Sequence, residues 1–392
     1  MKTNKKIVHI SLNSLYTDGW SYQDQMLSKY HKRMGYDVTC ITSHFVNDDK
    51  GNVVWDSRAE YTNPDGVKVI RLRMKGKEDW GKKLKRFVGF YEALENENPD
   101  IIFSHSVSYQ DTTELVKYMK KHPNTVLYAD NHADFSNSAT NFISKNILHK
   151  IVWKHYAKKL VSCTRKFYGV TPGRADFLRD IYGLPQDKIE LLVMGVDDED
   201  VAEALDADGI KAIRNQYNIA DDDILVMTGG KIDMAKTQTI TLMKAINSLD
   251  NPKIKLIVFG SVVDELKAAL EAQLSDKCQY IGWIDSAKTL NYYGAADLVV
   301  FPGRHSVFWE QVVGIGKPMI CKYWDGTTHV DLGGNVKFLY KDTEEELVET
   351  IQAVLGNRQE YDRMTAIAKE KGMKEFAYSN IAKRSIEVDD EA

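Results

Sequence analysis

The sequence predicts an α/β chain of two doubly wound domains, each a parallel sheet covered by helices. Three observations predict this. Short apolar runs alternate with segments of helical periodicity, the pattern of parallel strands joined by crossover helices. The pattern starts again near residue 224, where a buried run leads into a glycine pair and another helix. The chain has 392 residues, more than one core ordinarily organises.

In the first half, residues 7–12 read as a buried strand, 19–34 as a helix closed by Gly35, and 37–42 as the next strand. Further strands are expected at 67–72, 101–104, 126–129, 167–170 and 189–193. In the second half, strands are expected at 224–227, 254–259, 279–281, 298–301 and 319–322, with a helix running through Leu249. Helices at 344–355 and 358–371 follow, and the acidic end, 388–392, is expected to fray. The resulting division is 1–195 for the first domain, 196–222 for a joining region that is acidic over 197–208 and helical over 210–217, 223–375 for the second domain, and 376–392 for a final helix and tail. In doubly wound sheets ligands bind beyond the carboxyl ends of the strands, so the functional site is expected there, in a cleft between the two facing domains.

Composition narrows the function classes. Hydrophobic residues make up 43% and charged residues 28%, a globular balance, and the net charge of -4 gives no general attraction to nucleic acid. The four cysteines, Cys40, Cys163, Cys278 and Cys321, form no paired motif, which argues against a zinc site or a disulfide framework and for a reduced, cytoplasmic protein. The basic start, residues 1–6, leads into an apolar run too short for a signal-peptide core, and no stretch reaches the roughly 18 apolar residues of a membrane helix. Membrane contact would be peripheral. Two basic stretches suit it: residues 75–86, and residues 145–161, where Ile147, Leu148, Ile151, Val152, Tyr156 and Leu160 recur at helical spacing among lysines. Such a helix can lie on anionic lipid or pack its apolar face on the core.

The most informative segment is Gly229-Gly230-Lys231-Ile232-Asp233-Met234-Ala235-Lys236. Glycines let backbone approach a ligand, a helix start offers N–H groups to an anion, and two ammonium groups can neutralise a diphosphate. Two solvated surface lysines would read the same way on spacing alone.

This segment resembles the phosphate-binding stretch of the family 4 glycosyltransferases, which usually reads glycine-arginine-leucine, three variable residues, then lysine-glycine. Lys231 stands at the arginine position, Lys236 at the lysine, and Thr237 replaces the last glycine. Other stretches match in the same order. Gly183-Leu184-Pro185 and Met194-Gly195-Val196-Asp197 resemble the family's inter-domain stretch. Gly282-Trp283 and Ala295-Ala296-Asp297-Leu298 resemble its base-binding loop and following helix, and Gly316-Lys317-Pro318 its later strand entry. The resemblance implies the GT-B fold of two facing Rossmann-like domains with an inter-domain cleft. It implies a retaining glycosyltransferase that moves a sugar from a nucleotide-diphosphate donor, usually a UDP-sugar, to a carbohydrate or lipid-linked acceptor, as in polysaccharide biosynthesis. It implies no cofactor and no metal, and a site in the cytoplasm or at the inner membrane face.

The resemblance also carries individual residues. Gly230, Lys231, Lys236, Trp283, His305, Ser306 and Glu310 fall at donor-binding positions. Glu310 aligns with the second of the family's two glutamates, which accepts hydrogen bonds from the ribose. The first glutamate has no counterpart, the loop before Glu310 is short, and Gln311 competes for the role. His132, in Asp130-Asn131-His132, matches a histidine that faces the transferred sugar and is the catalytic candidate. Gly19 and Trp20 occupy the loop where the family places a glycine pair near phosphates and acceptor. His105 and Ser106 end another strand on the same rim. A histidine after a strand also serves as a plain structural residue. A nucleotide-sugar epimerase of the same fold and a non-catalytic sugar-nucleotide or glycan-binding subunit are the other readings; the missing glutamate keeps the latter open.

Overall fold

The computed structural model describes residues 5–48 and 51–388. The basic residues 1–4 and the acidic residues 389–392 lie outside the described residues. The chain divides into two compact units, residues 1–193 with 381–392, and residues 194–380.

The strands of unit 1 are β1 (Lys6–Ser11), β2 (Asp37–Ser43), β3 (Phe45–Asn47), β4 (Val53–Trp55), β5 (Glu60–Thr62), β6 (Lys68–Leu72), β7 (Ile101–Ser104), β8 (Val126–Asn131), β9 (Thr164–Gly169) and β10 (Ile189–Leu191). The main sheet runs β10-β9-β8-β7-β1-β2-β6-β5. It is parallel except for β5, which pairs antiparallel with β6. The strand order reverses at β1, so β1 and β7 flank the switch point where a doubly wound sheet opens a crevice. Alternation along β1 explains the two faces. Val8, Ile10 and Leu12 enter the large apolar cluster with Phe90, Leu115, Tyr118 and Leu160. Ile7, His9 and Ser11 point to the other face. There Tyr128 and Tyr168 hydrogen-bond to the end of the chain, through Ile386 O, Glu387 and Arg384 O.

Unit 2 contains β11 (Ile224–Gly229), β12 (Ile254–Phe259), β13 (Cys278–Tyr280), β14 (Leu298–Phe301), β15 (Met319–Lys322) and β16 (Val336–Leu339). They form one parallel sheet in the order β13-β12-β11-β14-β15-β16, so its switch point lies between β11 and β14. Val226, Leu256, Val258, Leu298, Val300 and Ile320 build its core with helix residues Leu242, Ile246, Leu347 and Ile351. Burying each such side chain contributes roughly 1.5–3 kcal/mol.

Three expectations need correction. The helix expected at 19–34 begins only at Gln23 (Gln23–Arg33), because Gly19 has φ +79° and holds the chain in a turn. The region 196–222 belongs to unit 2 rather than standing apart as a joining region. It forms helices Asp198–Ala204 and Ala207–Gln216, and the acidic residues that suggested a linker are caps: Asp197 accepts from Glu199 N and Asp206 from Gly209 N. These helices belong to unit 2 and pack against the helix Thr289–Ala295, so closely that a Cβ on Gly294 would lie 1.8 Å from Ala204 O. The final residues, from 381 on, belong to unit 1 rather than forming a separate element.

The basic amphipathic segment is a widened π-helical stretch, Ser144–Trp153, running into the helix Lys154–Leu160. Trp153, Ala157 and Leu160 face the core, whereas Phe142, Ile143, Ile147 and Ile151 are exposed. Among the described residues, no helix is long and apolar enough to cross a membrane.

Candidate functional site

The loops on either side of the unit 2 switch point enclose a cleft of about 370 Å³, counting space open to solvent. Gly230, Lys231 and Lys236, after β11, and Gly303, Arg304 and Ser306, after β14, are among the residues that line it. The glycine pair is needed for backbone reasons. A Cβ on Gly229 would sit 2.1 Å from the Phe259 ring, and Gly230 has φ +122°, a region that side chains disfavour. The loop is pinned to the one after β12 by Gly230 N donating to Phe259 O and Ile232 N donating to Ser261 O.

The two lysines differ. Lys231 is exposed and lies 3.8 Å from Asp233 Oδ2. Lys236 is half-buried, its stem passing beneath Gly303. Burial lowers its pKa, Asp233 opposes the shift, and Arg304 and Lys231 add to it. Lys231 and Lys236 thus share Asp233 as a neighbour, with Arg304 adding positive charge beside Lys236. Mutual repulsion of this kind is relieved by a bound anion, and the geometry suits a group with several negative oxygens.

His305 and Glu310 do not line this cleft. Glu310, on the helix Phe308–Gly314, is fully buried, and its Oε1 meets both His305 Nε2 and His329 Nε2 at 2.9 Å. Burial opposes its ionisation, but the two histidines, His305 foremost, hold its carboxyl well below the usual range. Glu310 Oε2 and His329 Nδ1 are buried without a hydrogen-bond partner among the described residues. Gln311 is buried beside it. His305, Glu310 and His329 are the one three-ligand group among the described residues that could converge on a metal. A metal-bound imidazole normally donates its second N–H to a carbonyl or carboxylate, and His329 Nδ1 has no such partner. The trio fits a carboxylate held by two imidazole N–H donors better than a metal centre. Trp283, just after β13, is 68% exposed and does not line the cleft.

In unit 1 the candidates follow neighbouring strands. Gly19 and Trp20 lie in the loop after β1, His105 and Ser106 after β7, and His132 after β8. Asn13 Nδ2 donates to Ser108 O, tying the first two loops together. No side-chain or backbone atom lies within 4 Å of where a Cβ on Gly19 would be, and Trp20 is half-buried with its ring 5.5 Å from that of Tyr22. His132 is 40% exposed, and its Nε2 lies 3.4 Å from the buried Asp130 Oδ2. Burial pushes the Asp130 carboxyl up, but His132 and then His105 more than offset this and hold it well below the usual range.

Sequence reasoning missed Arg304, His329 and the histidines His9 and His31. Arg304 could have been noticed as the one guanidinium in the short loop beside His305. His329 is 19 residues from Glu310, with no pattern joining them.

The sequence model of Glycosyltransferase Family 4 matches residues 25–200, and that of Glycosyl transferases group 1 matches residues 209–371. No curated protein matches the chain at significant sequence similarity. Solved structures of similar fold include a glycosyltransferase from Rickettsia africae ESF-5, with TM-score 0.66 and 14% identity over 98% of this chain and 97% of that one. The Anabaena protein HepE in complex with UDP has TM-score 0.66 and 14% identity over 98% of each chain. The UDP-GlcNAc 2-epimerase of Neisseria meningitidis bound to UDP-GlcNAc has TM-score 0.60 and 12% identity over 98% of this chain and 99% of that one.

Proposed function

Because this chain belongs to the family 4 glycosyltransferases and has the GT-B fold, we propose that it transfers a sugar from a UDP-sugar to a carbohydrate or lipid-linked acceptor, with retention of anomeric configuration and without a metal. The observation that carries this reading is the cationic cleft at the β11/β14 switch point. Lys236, Lys231 and Arg304 would hold the donor diphosphate and stabilise the charge that develops as it leaves. A metal ion commonly does this work in phosphate chemistry; here the three cations would take it. The UDP bound by HepE supports the choice of nucleotide. The leaving phosphate would take the acceptor proton, and His132 would hydrogen-bond the transferred sugar. Trp283 would meet the base, and Glu310 the ribose through Oε2, the oxygen that its histidines leave unbonded. Gly19 and Trp20 would border the acceptor. The exposed Phe142, Ile143, Ile147 and Ile151, with Lys145 and Lys150 among them, support an acceptor presented at an anionic lipid surface and a place at the inner membrane face.

The test is a thermal-shift screen of the full chain across nucleoside diphosphates and their sugars, followed by product analysis with the donor that binds. UDP and a UDP-sugar are expected to raise the melting temperature, and transfer to an acceptor to follow. A chain stabilised by no nucleotide would refute the reading. Release of an epimerised donor without acceptor would replace the transferase with an epimerase.

A further inference from the structure

The polar face of the unit 1 sheet contains a continuous line of buried imidazoles. His31, on the helix Gln23–Arg33, is within 3.0 Å of Ala382 O through Nε2. Its Nδ1 is 3.0 Å from His9 Nε2. His9 Nδ1 is 2.9 Å from His105 Nε2, and His105 Nδ1 is 2.9 Å from Asp130 Oδ2. His9 and His31 are fully buried, and His105 nearly so. The rings of His9 and His105 stack at 5.2 Å.

The protons in this line can be counted. A backbone carbonyl only accepts, so His31 must carry a hydrogen on Nε2. Ser385 Oγ, also 3.0 Å from that nitrogen, donates its own hydrogen to Ala382 O and therefore accepts here too. A carboxylate at the other end only accepts, so His105 must carry a hydrogen on Nδ1. The four contacts Ala382–His31, His31–His9, His9–His105 and His105–Asp130 each need one hydrogen. Three neutral imidazoles carry only three between them. The fourth sits either on a ring, as an imidazolium, or on Asp130. Two imidazole nitrogens converge on Asp130 Oδ2, His105 Nδ1 at 2.9 Å and His132 Nε2 at 3.4 Å. That suits an ionised carboxylate attracting both hydrogens and places the proton on a ring. Coulomb attraction places it on His105, the ring in contact with Asp130, because charge interactions fall off with distance and are strong where water is excluded.

We propose that His31, His9 and His105 are positioning residues for His132: together they hold one extra proton, which keeps the buried Asp130 ionised. An ionised Asp130, its Oδ2 3.4 Å from His132 Nε2, attracts a hydrogen onto that nitrogen. The tautomer of His132 is thereby fixed, with the Nδ1 lone pair free to accept a hydrogen bond from a ligand hydroxyl. A neutral, protonated Asp130 could impose no such choice, since it could donate as well as accept. The functional half of this inference rests on the reading of His132 as a sugar-facing residue; the proton count does not.

The experiment is long-range ¹H–¹⁵N correlation on the full chain carrying ring-labelled histidine at neutral pH, with His105 and His132 assigned from the spectra of His105→Asn and His132→Asn. His105 is expected to show two protonated ring nitrogens, and His9, His31 and His132 one each, on Nε2. A neutral His105, or a His132 protonated on Nδ1, overturns the proposal whether or not the protein transfers sugar. In kinetics, His105→Asn keeps a donor for Asp130 but cannot hold the extra proton. Its kcat should fall about tenfold with donor KM nearly unchanged, and adding Asp130→Asn should lower it little further, as for residues that act as a unit. Wild-type kcat in His105→Asn would remove the positioning role. If that variant does not fold, the wild-type spectrum decides alone: of the two rings in contact with Phe103, those of His9 and His105, one is expected to be an imidazolium, and two neutral rings overturn the proposal.

Discussion

The two sheets reverse strand order in the same way around their first strands, yet the two switch points carry opposite chemistry. At β11 and β14 the loops are rich in cation: Lys231, Lys236 and Arg304 line one cleft, with Asp233 beside the two lysines. At β1 and β7 the loops offer Asn13, Ser106 and Ser108, and the nearby buried charge, Asp130, is already matched by histidine. The backbone decides only where a ligand can sit. Side-chain charge decides whether the place suits a diphosphate or an uncharged hydroxyl-bearing partner.

The sharpest test of that contrast is Lys236→Ala. Losing a half-buried cation from a phosphate clamp should weaken UDP binding by about 2–3 kcal/mol, roughly 30- to 150-fold, by titration calorimetry. Lys231, exposed and already near Asp233, should cost only about threefold on the same substitution. Equal effects from the two would dissolve the distinction between a buried clamp residue and surface charge.

A second test uses acid. In unit 1, burial depresses the pKa of His149 and His31 to about 4, whereas an unfolded histidine protonates near 6.5. Between these values the unfolded chain binds more protons than the folded one. The stability these histidines allow is therefore complete above pH 6.5 and is lost as pH falls toward 4. Taking unit 1 from pH 7 to pH 5 should cost about 1–2 kcal/mol through His149 alone, read by urea denaturation. His149→Gln should flatten the dependence by that amount. An unchanged slope would show that the buried imidazole is already charged. Unit 2 responds in the same direction but at lower pH: the depressed carboxyl of Glu310 contributes stability that is complete above the ordinary carboxylate pKa and is lost as pH falls from there toward the depressed one.

The smallest expected effect concerns the exposed apolar surface. Replacing Ile147 and Ile151 with aspartate should weaken association with anionic vesicles about three- to tenfold, measured by co-sedimentation, while leaving UDP affinity unchanged. Equal vesicle binding by variant and wild type would detach this face from any lipid.

The strands that build both sheets were legible because parallel strands buried on two faces read as continuous apolar runs. Residues 101–104, 254–259, 298–301 and 319–322 emerge with the bounds expected. The short edge elements β3, β4, β5 and β16 were not, since three or four residues carry no period. Composition misled at 196–222, where aspartates that cap helices resemble those of a solvated linker. The lysine pair stood out through its glycines. The histidine line could not: His9 lies 22 residues from His31 and 96 from His105, and only the order of β1 and β7 in the sheet makes them neighbours. Glu310 illustrates the same limit, because the histidine that shares its oxygen arrives from beyond β15.

The path of the chain has a consequence for synthesis. Unit 2 is inserted into unit 1, whose remaining part begins only at residue 381. As the polypeptide leaves the ribosome, residues 194–380 can finish folding while the first domain still waits for Ala382, Ser385 and Ile386, the acceptors of His31 and Tyr128. Until then, Tyr128 and Tyr168 on the nascent first sheet lack the partners that Ile386, Glu387 and Arg384 supply, and that part of the face is open to a chaperone.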